Sequence, residues 1–211
     1  MLSGYDDAYR TFSNNVSAPW VNDNKEIIVD DNIMKWVDQT KTYTDKGYNN
    51  KTSLWSDAWA ADQGPDGKVF GFFYSTWGIN FTLAGNSLAV KEKDGGKLEV
   101  GNGGYGDWAV CYGPQAYFWG GTWMAAAKGT DNAALVGDVL KAFCCDKDFG
   151  VQFTKDTQDY YNNEAAMKEL ASSDFKSAFL GGQNHIALFV ETAPKIDMSK
   201  ISAVSYTHLT L

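Results

Sequence analysis

Basic residues are few and scattered: 18 Lys and Arg stand against 26 Asp and Glu, leaving a net charge of -8 and a pI near 4.7. Phosphate binding needs clustered Lys and Arg, and no such run exists, so the composition excludes a nucleic-acid partner and favours a neutral or cationic ligand. Cysteine is sparse too. Three cysteines cannot all pair, and the adjacent Cys144 and Cys145 sit nearer to each other than a disulfide prefers, so all three read as thiols. None stands in a C-x-x-C frame or beside a histidine, which argues against a zinc or redox site; neither metal nor cofactor is expected. His185, alone in the body of the chain between Asn184 and an apolar run, reads as a surface or capping histidine. No run of eighteen apolar residues exists, so no segment is expected to span a membrane, and Met1-Leu2-Ser3-Gly4 lacks the charged-then-apolar pattern of a secretion signal.

Aromatic surface is what the chain has in quantity: eight Trp, eleven Tyr and twelve Phe in 211 residues. Much of it is expected in the core, where large aromatics dominate buried area, and 44% hydrophobic content is enough for one globular body. The densest stretch runs from Gly103 to Thr130, and seven of the nineteen residues from Tyr105 to Trp123 are aromatic. Two strand-like runs, Trp108 to Tyr112 and Trp123 to Ala127, flank a loop from Gln115 to Gly121 that reads as a binding surface.

Taken in order, residues 1 to 24 show no clear period. Lys25 to Val29 reads as a strand, and Asp30-Asp31 as caps for a helix with Ile33, Trp36, Val37 and Thr40 on one face, ending near Gly47. Lys51 to Ala61 suits a short helix with an aromatic face, closed by a turn over Asp62 to Gly67. Lys68 to Tyr74 reads as a buried strand, followed by a helix from Ser75-Thr76 through Trp77, Ile79, Phe81 and Leu83. Trp77 then lies just past a strand's carboxyl end, where open α/β sheets bind ligands. Lys97 to Val100 reads as an edge strand after a turn at Asp94-Gly95-Gly96. Asp131 is placed as the cap of a helix with Leu135, Val139, Ala142 and Phe143 on one face. Four further helices are expected over Asp146 to Thr157, Asn163 to Ala171, Ser173 to Leu180 and Asn184 to Thr192. The expected fold is α/β, a mixed sheet flanked by helices with a helical carboxyl-terminal part, in which parallel strands at Ile27 to Val29 and Phe70 to Tyr74 are joined by the helix after Asp31.

The segments EIIVDDNIMKWV, GKVFGFFYSTWGI, DWAVCYGP and FWGGTWMAAAKGTDN, with the helix running to Cys145-Asp146-Lys147, together resemble extracellular solute-binding proteins of carbohydrate ABC importers (family 1, maltose-binding-like). The likeness is to the carboxyl-side lobe and covers roughly residues 5 to 200. It implies a periplasmic-binding-protein-like lobe of type II that captures a mono- or oligosaccharide between two lobes and delivers it to permease subunits. The location it implies is the extracellular face of the membrane, lipid-anchored in a full-length protein, or the periplasm. No catalytic residue is implied. Flat walls for sugar rings with backbone donors beside them would come from Trp77, Trp119, Gly120, Gly121 and Thr122, with Tyr74, Trp55 and Tyr117 as further contacts.

Two other classes use the same aromatics. A glycoside hydrolase needs paired carboxylates, for which Asp57, Asp107 and Glu191 lie near aromatic runs. A non-transport carbohydrate-binding module is usually all-β, against which the helical segments count. Residues 1 to 203 read as a partial solute-binding protein, while Val204 to Leu211 resembles translated sequencing adapter and reads as a non-native tail. A lone lobe exposes the apolar surface that its partner lobe would cover, so self-association is expected, and a monomeric, cooperatively unfolding 211-residue product would count against it.

Overall fold

The structure, a computed structural model, describes residues 1–201; the tail from Val204 to Leu211 lies outside them. Instead of one body, the chain forms two compact units. The first holds Met1–Tyr74, Tyr112–Trp119 and the described residues from Thr192; the second holds Ser75–Cys111 and Gly120–Glu191.

In the first unit, β1 (Leu2–Gly4) is followed by α1 (Tyr9–Ser13), α2 (Asp31–Asp45), β2 (Asn49–Thr52) and α3 (Asp57–Asp62). The strands β1 and β2 form a parallel two-stranded sheet, with Leu2 opposite Asn49 and Gly4 opposite Thr52. A helical crossover through α2 between parallel strands is therefore present, but its strands are not the expected pair. Ile27 makes only an isolated bridge to Val21 and is 78% exposed, and Phe70 N donates to the carbonyl of Met1, the residue before β1, at 3.1 Å. Apolar, β-branched sequence favours a strand, but a ladder also needs a partner in register.

The Asp30 carboxylate organises the entry to α2. It accepts from Asn32 N at 2.8 Å as the helix cap, from Ser17 N at 2.8 Å and Oγ at 2.6 Å, and from Ala18 N at 3.2 Å. Burial pushes this carboxyl up, but the Ser17, Asn32 and Ala18 donors outweigh it and hold the group below the usual carboxylate range. Inside this anchor, Tyr9, Val16 and Ile33 form a small core with Trp20 and Trp36, and the Tyr9 and Trp36 rings meet edge to face at 4.7 Å.

In the second unit, a π-helical turn (Ile79–Leu83) continues into α4 (Ala84–Asn86), and later come α5 (Ala133–Cys145), α6 (Lys147–Thr157), α7 (Glu164–Ala171) and α8 (His185–Thr192). Asp146 and Asn163 cap α6 and α7 through their side chains. Val151, Ala166, Met167, Leu170 and Ile186 make the core, with Tyr160, Tyr161, Phe175 and Phe189 packed around it.

Several expectations fail here for identifiable reasons. Residues 173 to 180 form no helix: Gly182 N bonds the Ser177 carbonyl at 2.8 Å, Ser177 bridges Gln183, and Gly181 and Gly182 take positive φ angles of 62° and 84° that reverse the chain. No strand forms over residues 108 to 112, because the Gln183 side-chain amide occupies both backbone groups of Val110, at 2.8 Å each. Residues 97 to 100 form no strand, and residues 123 to 127 have no regular secondary structure and are exposed, Trp123 at 82%. The α5 cap residue is Asn132, not Asp131, and makes no side-chain cap bond. No residue of α5 is buried, so its expected inward face, Leu135, Val139 and Phe143, lies exposed. His185 is not a surface residue: it is fully buried, its Nε2 2.8 Å from the Gln158 carbonyl oxygen and its ring 5.8 and 5.5 Å from those of Phe175 and Phe189. Burial pushes its pKa down.

Replacing Asp30 by Ala removes the cap of α2 and leaves the Ser17 and Ala18 donors unmatched, so it is expected to destabilise by about 2 to 4 kcal/mol in denaturant titrations. The folded pKa of Asp30 is depressed, so its contribution is present above its unfolded value of roughly 4 and is lost as pH falls through the folded value. The wild-type advantage over Asp30→Ala should therefore shrink only below about pH 4.

Candidate functional site

The clearest constellation of aromatic and ionisable side chains lies within the first unit. Ser56 caps α3 by accepting from Trp59 N at 3.2 Å, which plants the Trp59 ring, 2% exposed, at the base of an aromatic cluster. Trp55 meets it edge to face at 5.1 Å, with Phe72 at 5.8 Å and Tyr74 at 5.5 Å. Trp119 closes the group, 6.5 Å from Trp55 and 6.1 Å from Tyr74, near perpendicular to both. Tyr117 ties the 112–119 segment to this cluster by donating its hydroxyl to the Tyr74 carbonyl at 2.7 Å, and burial raises its pKa. Asn14 and Asn15 hold the same segment by its backbone: Phe118 N donates to Asn14 Oδ1 at 2.7 Å, and Asn15 Nδ2 to the Ala116 carbonyl at 2.9 Å.

Beside this wall opens a cleft of about 30 Å³, lined by Asp6, Asp7, Arg10, Leu54, Phe73, Tyr117 and Trp119 among others. Such a volume holds one or two waters. Arg10, the only arginine of the chain, lies with its guanidinium carbon 4.3 Å above the centre of the Trp119 ring, within cation–π range. Asp7 accepts from Gly4 N at 2.8 Å. A Cβ at Gly4 would stand 2.9 Å from both Asp6 Oδ1 and the Thr52 carbonyl oxygen, so only glycine fits this approach. Burial raises the Asp7 carboxyl to about 6 against the lowering effect of the Gly4 N–H, with Asp6 and Asp62 adding to the rise. Burial raises Asp6 as well, opposed by its own backbone N–H and by Arg10. Two non-glycine residues here hold left-handed backbone, Ala8 at φ 65° and Trp55 at φ 66°. For a bulky side chain such as Trp55 this costs about 1 to 3 kcal/mol, which the surrounding ring contacts must offset.

Of the residues singled out in the sequence, Trp55, Tyr74, Tyr117 and Trp119 come together in this unit. Trp77, Gly120, Gly121 and Thr122 belong to the second unit. There Trp77 is half-buried, occupies the turn before the π-helical segment rather than a helical first turn, and meets Phe81 edge to face at 5.8 Å. Ser75 closes that turn, its Oγ accepting from Gly78 N at 3.1 Å. Gly121 and Thr122 are exposed. Asp57, Asp107 and Glu191 are exposed on separate segments, Asp57 in the first unit and the other two in the second. Sequence reasoning missed Asp6, Asp7 and Arg10, which fall in the opening stretch without periodicity. The single arginine, four residues after Asp6 and amid aromatics, was the available signal. Among the described residues no group of three or more His, Cys, Asp and Glu is arranged to hold a metal ion.

Comparison with protein-family models, with curated proteins and with solved structures finds no match for this chain.

Asp7 gives the site a measurable signature. Its folded pKa of about 6 exceeds an unfolded value of roughly 4, so its contribution to stability is full below pH 4 and is lost as pH rises through 6. The Asp7→Asn protein is expected to lack this loss, standing about 2 kcal/mol above wild type in relative stability at pH 7.5 compared with pH 4, as read by denaturant melts at both values.

Proposed function

We propose that this chain is sugar-binding machinery: the carboxyl-side lobe of an extracellular solute-binding protein that captures a mono- or oligosaccharide for an ABC importer. The observation that carries the reading is the wall of Trp55, Tyr74 and Trp119 standing against Asp6, Asp7 and Arg10. Sugar rings offer apolar C–H faces edged by hydroxyl groups, and a wall of flat rings with a few charged acceptors and donors complements both. A parallel strand pair joined through helices is compatible with the type II lobe that this reading expects. For Trp77, Gly120, Gly121 and Thr122 the ligand-binding role rests on the family resemblance. A drug-sized ligand needs about 300 Å³ or more, so binding requires the walls of this cleft to part. The partners in this reading are the permease subunits, at the extracellular face of the membrane or in the periplasm.

A second reading has one observation in its favour. A half-buried carboxyl raised to about 6 beside aromatic rings suits the general acid of a glycoside hydrolase, and Asp7 is such a group. Release of reducing ends from oligosaccharides by the purified chain, abolished in Asp7→Asn, would establish that reading over the first.

Calorimetric titration of the chain with a panel of neutral oligosaccharides tests the binding reading. Trp119→Ala should weaken the bound sugar about 30- to 150-fold, the equivalent of roughly 2 to 3 kcal/mol of ring burial. Unchanged affinity per folded molecule, with a stability loss of about 3 to 5 kcal/mol, would make Trp119 a packing residue only. The same pair of outcomes, measured on Trp77→Ala, decides the role of Trp77.

A further inference from the structure

The charge of the cleft does not balance. Asp6 and Asp7 contribute two carboxyls and Arg10 one guanidinium, and no other ionisable side chain among the residues lining the cleft is cationic. Arg10 also sits on the face of Trp119, at 4.3 Å, the position that a stacking ligand would take. The fold thus already stabilises a planar cation against this indole. Asp6 is electrostatically coupled to Arg10 and lies four residues before it, so it offers the guanidinium a second place to rest. With Arg10 drawn to Asp6, the Trp119 face and the Asp7 carboxylate are left for an incoming group, and a single added positive charge makes the set neutral.

We propose that the site selects amino sugars: a ring bearing an ammonium group stacks on Trp119 in place of Arg10 and sets its charge against Asp7, while Arg10 turns to Asp6. This deepens the sugar-binding reading and rests on it. A neutral sugar gains the ring contact but leaves the carboxyls undercompensated, and a uronate adds a third negative charge. The Asp7 carboxyl, raised to about 6 by burial, is the group such a ligand would relieve.

The test is calorimetry on the full chain at pH 7 and low salt with three β-1,4-linked trimers: chitotriose, which carries an amine at each C2, cellotriose, which carries hydroxyls there, and a glucuronate trimer. Chitotriose should bind about 10-fold or more tighter than cellotriose, the scale of one charge-assisted contact, and the glucuronate trimer weakest. In Asp7→Asn, whose amide oxygen can still accept from Gly4 N–H, the ratio of chitotriose to cellotriose affinity should collapse to about 2-fold or less, whatever the change in affinity for sugars as a class. Arg10→Gln, which removes the competing cation, should raise the ratio of chitotriose to cellotriose affinity. Cellotriose binding equal to or tighter than chitotriose, or a preference that survives both Asp7→Asn and Asp6→Asn, overturns the amino-sugar assignment and leaves the sugar-binding reading standing. Absence of binding for all three trimers and for the neutral panel overturns both.

Discussion

A serine hydroxyl with no access to water fixes the geometry of the first unit. Ser3 Oγ lies 2.7 Å from Thr52 Oγ1 across the parallel pair and donates to Asp62 Oδ2 at 2.7 Å, while Asn50 Nδ2 donates to both Asp62 oxygens at 2.9 and 3.0 Å. Each of these groups would be costly to bury alone, and together they bind β1, β2 and the end of α3 into one polar knot. Two short strands of three and four residues make too few ladder bonds to hold themselves. The knot supplies what the ladder lacks, and the site inherits its precision. With Ser3 fixed, Gly4 is pressed against Thr52 and its N–H aims at Asp7; with Asp62 fixed, α3 presents Trp59 beneath the aromatic wall.

The second unit is held by different means. Its α6, α7 and α8 bury aliphatic side chains around Met167 and Ile186, both fully inaccessible, and the buried polar side chains of the unit, Ser75, Ser87, Thr154, Ser177 and His185, include no carboxylate. Neutral His185 suits that setting, since burial disfavours its charged form. Outside this core the chain is loosely committed: α5 and the preceding segment present Trp123, Leu135 and Phe143 outward. Exposed apolar side chains in this number are unusual, and they leave that part of the unit stabilised by local hydrogen bonds rather than burial.

Helices with a capping side chain were the legible elements. Asp30, Asp146 and Asn163 each cap a helix where one was expected to start, whereas Ser56 starts α3 well inside the expected Lys51 to Ala61 span, because Lys51 and Thr52 belong to β2. Caps act over three residues and period over two turns, so both signals are local. The aromatic wall was half legible: Trp55, Tyr74, Tyr117 and Trp119 were singled out, in one set with Trp77, which lies in the second unit, but the acid pair and arginine they face were not. Asp6 and Asp7 sit on the short link between the three-residue strand β1 and the five-residue helix α1, and Arg10 lies in the first turn of that helix, elements too short to leave a periodic trace.

By itself, the sequence determined the acidic balance, the aromatic supply and the starts of α2, α6, α7 and α8, because these depend on composition and on neighbours a few residues apart. Which segments became sheet was decided only in three dimensions. Ile27 to Val29 and Phe70 to Tyr74 have the stronger strand character, yet Leu2–Gly4 and Asn49–Thr52 pair, because Ser3, Thr52 and Asp62 satisfy one another there. Likewise Val110 lost a strand partner to the side chain of Gln183, seventy-three residues away. A ladder is a competition for backbone donors and acceptors among distant segments, and its outcome is set by which buried polar groups find partners, a quantity that no local window of sequence contains.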